Sequence, residues 1–417
     1  INISVQDQVD RKFKKPAPIF FIFTMYTVIL KKNEDIRIRN GHSWVYANET
    51  SRVEGEGGNG ALAAVYSYGG DFLGKGFINF LSKILVRIIS RSEDENIDRD
   101  FYFRRIYAAK KLRESMGYSN NYRAVFAEAD GMPAFICDKF GDVLSCQFLS
   151  LAMEKAKQDI LSCLTEIFSP RSVFERNDVA VREKEGLRQT KGLLYGVNDP
   201  EVIITENGLK IKVNVMKGQK TGYFLDQKEN RRAAGIYAKG KRVLDCFSNS
   251  GGFALNCAAR QASSVTAADI SDTAVNDIAE NASLNSLKIE TVRADVFDLL
   301  RSYGKERRQF DMIILDPPAF CKSAAEISDA SRGYRDINTL AMKLITNNGI
   351  LATCSCSHYM SSQLFEKILA ESARAAHKTI RYLERRFQAP DHPYLPSAEE
   401  TLYLKFCILS VCPAGSL

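Results

Sequence analysis

The chain has 417 residues, more than one hydrophobic core usually fills, so two or three domains are expected. Hydrophobic residues make up 45% and charged residues 26%, which excludes a disordered or fibrous chain, and the formal charge of +7 suits a polyanionic partner without requiring one. Ten cysteines with no C-x-x-C pair exclude a disulfide framework and the usual zinc and thioredoxin patterns, and they fit a reducing, cytoplasmic setting with no metal.

Residues 17–30, APIFFIFTMYTVIL, form the longest apolar stretch. Basic residues precede it, but it is too short to span a membrane and no small-x-small cleavage site follows, so no membrane association is expected. The chain opens on Ile1, and Met25 stands just before strand-like sequence; residues 1–24 are therefore read as a non-native or upstream leader.

From 25 to 95, short alternating runs such as GALAAVYS and KILVRIIS, separated by glycine turns, predict a small β-barrel-like module. The polar run SRSEDENIDRD at 90–100 marks a boundary. A helix over DRDFYFRRIYAAKKLRESMG, two or three strands joined at Asp130-Gly131 and Gly141-Asp142, and a helix over AMEKAKQDILSCLTEIF make 97–195 an α+β domain. In the last domain, 196–417, the rhythm after Lys241 becomes strand, turn, helix: RVLDCF, SSVTAADI, IETVRAD, FDMIILD and GILATCSC are the strand candidates. That alternation predicts an α/β, doubly wound, largely parallel Rossmann-like sheet, with ligands outside the strands' carboxyl ends.

Chemistry-bearing residues stand at those ends. In VLDCFSNSGGF, Asp245 ends a strand and Gly251 and Gly252 open a helix whose free N–H groups can face a ligand. Asp269 ends the next strand, where a carboxylate can accept from both hydroxyls of a ribose, and Asp295 ends the third, within reach of an adenine amino group. Three acids at three successive strand ends, without the G-x-G-x-x-G of dinucleotide sites, point to S-adenosylmethionine. In ILDPPAF, Pro317 and Pro318 stiffen a turn with Asp316 at its mouth, suited to a flat heterocycle. The fifth strand ends in LATCSC, with Cys354 and Cys356 on one face and Cys356 nearer the sheet edge. A thiolate there can add to C6 of cytosine, turning C5 into a nucleophile.

At these residues the chain resembles bacterial S-adenosylmethionine-dependent 23S ribosomal RNA 5-methylcytosine methyltransferases with an N-terminal PUA domain. NGHSWVYANE and FLGKGFIN resemble the PUA module, with Ser43 where proline is common; RAVFAEADGMPAFICDKFGD resembles the central domain; KGQKTGYFLDQKENRR (217–232) resembles the family's most distinctive motif, a segment that closes over the cofactor. The resemblance implies that Lys220, Gly222, Phe224, Asp226 and Ser248 join Asp245, Gly251, Asp269 and Asp295 in the cofactor pocket. It also implies that Cys356 is the nucleophile with Asp316 as its catalytic partner, and that Pro317, Pro318 and Phe320 meet the substrate. Where relatives carry a second cysteine this chain has Ala319, and Cys321 comes two residues late, so the base that removes the C5 proton is not identified. The partner implied is 23S ribosomal RNA, gripped in part by Trp44 and Tyr46, with a homodimer allowed. The alternatives are a guanine-N7 ribosomal RNA methyltransferase of the same architecture and a noncatalytic RNA-binding assembly factor with relic cofactor binding.

Overall fold

The computed structural model describes residues 25–321 and 323–415; the leader expected over 1–24 lies outside them. Strands β1 (Tyr26–Leu30), β2 (Trp44–Tyr46), β3 (Thr50–Glu54), β4 (Leu62–Tyr66), β5 (Phe72–Ile78) and β6 (Ile84–Ser90) form a sheet in the order β2-β6-β5-β4-β1-β3, with α1 (Ile36–Arg39) between the first two. Alternation in β1 turns Tyr26, Val28 and Leu30 inward against Val45, Val65 and Val86.

Asp98 caps α2 (Arg99–Ser115), its side chain accepting from Phe101 N–H at 2.9 Å. This helix packs on a central sheet of β7 (Asn121–Phe126), β8 (Phe135–Phe140), β9 (Val143–Phe148), β10 (Ser172–Asn177) and β11 (Thr190–Gly196), ordered β11-β10-β9-β8-β7. Phe101, Ile106, Ile160 and Leu164 close that core against Tyr122, Cys137 and Val173. The single helix expected over AMEKAKQDILSCLTEIF is two, α3 (Leu151–Lys155) and α4 (Lys157–Phe168), because Ala156 adopts φ −81°, ψ 2° and ends the first.

A hairpin follows, β12 (Glu201–Glu206) and β13 (Leu209–Asn214), turned by Asn207 and Gly208 at φ 54° and 82°. Its Asn-Gly turn is a strong local signal, since both central positions need positive φ.

The last sheet contains β14 (Arg242–Cys246), β15 (Ser264–Asp269), β16 (Glu290–Arg293), β17 (Phe310–Leu315), β18 (Ile345–Ser355), β19 (Lys378–Arg386) and β20 (Lys405–Pro413), ordered β16-β15-β14-β17-β18-β20-β19. The five strands expected from sequence are parallel; β20 pairs antiparallel with β18 and β19 and adds a final antiparallel pair. On one face lie α5 (Lys228–Ile236), α6 (Gly252–Ala259) and α7 (Asp272–Leu284), through Ala234, Phe253 and Ile278. On the other lie α8 (Val296–Lys305), α9 (Ile327–Leu344) and α10 (Ser362–Ala375), through Leu299, Tyr334 and Phe365. Cover on both faces explains why residues 312–315 of β17 and 349–355 of β18 are buried at every position rather than at alternate ones. Strand order reverses between β14 and β17, so a crevice opens at their carboxyl ends.

Candidate active site

The cavity in that crevice is lined by Lys220, Phe224, Asp226, Ser248, Asp269, Asp316, Pro317, Pro318 and Cys356, all singled out from the sequence. Gly222, Asp245, Gly251, Asp295 and Phe320 are not on its wall.

The loop from β14 to α6 carries positive φ at Phe247 (61°), Asn249 (51°) and Gly251 (84°). Asp245 stands behind it, fully buried, and its Oδ2 accepts from Ser248 Oγ at 2.5 Å and from Ala254 N–H at 3.0 Å. It shapes the loop rather than forming the wall. Burial pushes its pKa up to about 7, against the pull of those two donors. Its Oδ1 is buried with no hydrogen-bond partner among the described residues. A Cβ on Gly252, the first residue of α6, would come within 2.6 Å of Arg231 Nε, so glycine here lets the guanidinium reach the cavity.

Asp269 is half-buried at the end of β15, and its two oxygens accept from the backbone N–H groups of Asn249 and Ser271, each at 3.0 Å. Each retains acceptor capacity toward the cavity. Asp295 is exposed and caps α8, its Oδ1 accepting from Phe297 and Asp298 N–H at 2.9 and 3.2 Å.

The segment 217–232 lines the cavity through Gln219, Lys220, Phe224, Asp226, Gln227 and Arg231. Lys220 adopts φ 52°, rare for a residue with a side chain, and its Nζ lies 3.2 Å from Asp226 Oδ2 and 4.5 Å from the centre of the Phe224 ring. Gly222 turns the loop where an added Cβ would meet the Val215 backbone at 2.9 Å. Burial favours the neutral form of Asp226, but Lys220, His392 and the Tyr403 hydroxyl, 2.6 Å away, hold its pKa well below the usual carboxylate range. It is a buried carboxylate whose Oδ1 has no partner among the described residues.

Opposite stand the two thiols. Cys354 is fully buried and its Sγ donates to Asp316 Oδ1 at 2.8 Å, while Gln227 Nε2 donates to the same oxygen at 3.1 Å. Cys356, just past β18, is half-buried on the wall, its Sγ 3.9 Å from Pro317 O. Ser355 and Ser357 flank it and both bond the Tyr334 hydroxyl at 3.0 Å, which pins the loop carrying the thiol. Burial pushes the Cys356 pKa up to about 11, opposed first by Lys220. Burial also raises Asp316. Phe320 turns away, packing 4.7 Å from Tyr334 and 6.3 Å from Phe297. Its aromatic neighbours offer more apolar contact than the open turn would.

Sequence reasoning missed Gln227 and Arg231, although both lie inside the motif at 217–232, and Phe247 and Ile270, which supply apolar wall. Trp44 sits at a domain junction: its Nε1 donates to Glu128 at 2.9 Å and Arg87 lies 5.4 Å over its ring. Among the described residues no three His, Cys, Asp or Glu side chains are grouped to hold a metal, and no helix is long and apolar enough to cross a membrane.

A sequence model of the S-adenosylmethionine-dependent methyltransferases matches residues 193–406, and one of the PUA-like domain matches residues 28–91. Ribosomal RNA large subunit methyltransferase I of Aliivibrio fischeri is 39% identical over 91% of this chain and 98% of its own length. The proteins of that name from Photobacterium profundum and Vibrio cholerae are 40% and 41% identical, again over 91% of this chain and 98% and 97% of theirs. A provisionally assigned methyltransferase crystallised with S-adenosylhomocysteine superposes with a TM-score of 0.80 at 20% identity, covering 93% of this chain and all of its own. A provisionally assigned S-adenosylmethionine-dependent methyltransferase from Streptococcus mutans gives 0.79 at 20% identity, with the same coverage. These two speak to the fold alone. With a matching cofactor-binding domain, a PUA-like domain and near full-length relatives, the chain belongs to the S-adenosylmethionine-dependent methyltransferase family of the ribosomal RNA large subunit methyltransferases I, and its cofactor is S-adenosylmethionine.

Proposed function

We propose that this protein methylates C5 of a cytosine in large-subunit ribosomal RNA, with Cys356 as the nucleophile that adds to C6. The observation that carries the reading is the placement of one thiol, Cys356, on the cavity wall beside the Asp316-Pro317-Pro318 turn, while its neighbour Cys354 lies beneath. A guanine-N7 methyltransferase has no use for a thiol there.

The residues present fit the cofactor. Asp269 offers acceptors for the ribose hydroxyls, Phe247 and Ile270 an apolar wall for the adenine, and the ionised Asp226, with an unpartnered oxygen, a counter-charge for an ammonium group. Asp245 and Ser248 hold the loop in shape between them. S-adenosylmethionine supplies the electrophilic methyl group that C5 takes.

The protein's own steps follow from the thiol and the carboxyl opposite. The Cys356 thiolate forms a C6–S bond, and negative charge moves through the ring toward N3. Asp316 Oδ1 is engaged by Cys354 and Gln227, which leaves Oδ2 to meet the substrate. Because burial raises Asp316, its carboxyl can carry the proton that neutralises N3. Transfer of the C5 proton to water then breaks the C6–S bond and expels Cys356 as a thiolate, while N3 returns its proton to Asp316. Mass-spectrometric mapping of ribosomal RNA from a strain with and without this gene tests the reading. One 5-methylcytosine in the large-subunit RNA should vanish; loss of a 7-methylguanine instead would overturn it.

A further inference from the structure

Lys405, the first residue of β20, pairs with Ser355 of β18 and is buried. Its Nζ donates to the carbonyl oxygens of Ser357 at 2.6 Å and Tyr403 at 2.9 Å. Among the other buried cations, Arg113, Arg123, Lys228 and Arg231 each face a carboxylate, at 2.5 to 2.8 Å, whereas Lys75, far from the site, meets the Glu93 carbonyl at 2.6 Å. Lys405 has no such partner among the described residues; the titratable groups acting on it are the thiols of Cys356 and Cys354. A buried ammonium held only by carbonyls is costly, and its placement beside the nucleophile calls for a reason.

Cys356 faces four charged groups: Lys220, Asp316, Asp226 and Lys405. Lys220 is tied to Asp226 at 3.2 Å, so its charge reaches the thiol partly cancelled, and Asp316, when ionised, opposes a thiolate. Lys405 is the cation that no carboxylate offsets. Its bond to the Ser357 carbonyl also fixes the peptide next to the nucleophile.

We propose that Lys405 is a positioning residue for the reaction: it anchors the Cys356–Ser357 backbone and its ammonium stabilises the Cys356 thiolate from the β20 side. The inference rests on Cys356 being the nucleophile. In the free protein, burial brings Lys405 down to about 8, so thiol and amine titrate as an interacting pair, and loss of one proton from the pair leaves a thiolate beside an ammonium or a thiol beside an amine. Burial of both groups puts the loss from the amine first, at about 8 against about 11 for the thiol, so the ammonium aids the thiolate while Lys405 keeps its proton, below about pH 8.

Alkylation of Cys356 by iodoacetamide in the full chain, its rate followed by peptide mass spectrometry from pH 6 to 9, reads the thiolate fraction without RNA. In Lys405→Met the rate should be about tenfold lower below about pH 8, where Lys405 carries its charge, with the gap closing above it. In Lys405→Arg, which keeps the charge, the rate should stay at or above the wild-type value. Calorimetric binding of S-adenosylmethionine reports that each variant is folded. An unchanged rate at about pH 7 in a folded Lys405→Met overturns the proposal. If that variant does not fold, Lys405→Arg decides, and a rate at about pH 7 below wild type overturns it. Because the assay contains no RNA, its failure would leave the role of Cys356 intact, and a failure of that role would leave the Lys405–Cys356 coupling measurable.

Discussion

The central domain and the carboxyl edge of the C-terminal sheet both bury charged side chains, but they complete them differently. In the central domain Arg113 takes both oxygens of Asp130, at 2.5 and 2.7 Å, and Arg123 forks onto Asp138 with two bonds of 2.8 Å. Asp391 then ties this domain to the next, meeting Lys228 at 2.7 Å and the backbone N–H of Arg123 at 2.9 Å. At the carboxyl edge pairing is left unfinished: Asp226 Oδ1, on the cavity wall, has no partner among the described residues, and Lys405 meets only carbonyls. Burial is common to both regions. What separates scaffold from chemistry is the valence left over for a ligand.

Breaking a finished pair should give the largest change. Arg123→Met leaves Asp138 buried without its fork and should cost about 3–5 kcal/mol in urea denaturation, most of it recovered when Asp138→Leu is added. A loss under about 1 kcal/mol would mean that the central network is not closed in the way described. Asp269→Ala should cost about 1–2 kcal/mol of stability by freeing the Asn249 and Ser271 N–H groups and weaken S-adenosylmethionine by about 1.5–3 kcal/mol in calorimetry. Asp295→Ala should weaken it less, because that carboxylate is exposed and one oxygen already caps α8, and should cost about 1 kcal/mol of stability through the lost cap. Equal losses of affinity would place both acids on the cofactor.

The smallest effect is a pH dependence. Asp245 holds its proton up to about 7 when folded, well above an unperturbed carboxyl, so the folded state binds that proton more tightly. Its stabilising contribution is complete below about pH 4 and is lost as pH rises through about 7. The melting temperature of the cofactor-free protein should therefore fall between about pH 4 and 7, and Asp245→Asn should remove about 2 °C of that fall. An identical fall in the variant would assign it to other groups.

Much of the C-terminal sheet was legible because β14, β15, β17 and the second half of β18 are largely apolar and end in a small set of acids and thiols, and position at a strand end is what puts Asp269, Asp316 and Cys356 on the wall. Asp245 shares that position yet stands behind the loop, a difference of side-chain direction that spacing does not encode. Phe320 follows the Asp-Pro-Pro turn but packs against Tyr334, since apolar contact decides its rotamer. The β12–β13 hairpin was not anticipated, although Asn207-Gly208 marks its turn, because its two arms are only six residues each. Lys405 and Tyr403 reach the site only through the antiparallel pairing of β20 with β18, a long-range contact without a local pattern.

The central claim is that one of two neighbouring thiols does the chemistry. RNA carrying 5-fluorocytosine at the target tests it, because fluorine at C5 cannot leave as a proton and the C6–S bond persists. On denaturing gels the wild type and Cys354→Ala should show a covalent protein–RNA adduct, and Cys356→Ala should show neither adduct nor methylation. An adduct that survives in Cys356→Ala and disappears in Cys354→Ala would contradict the account.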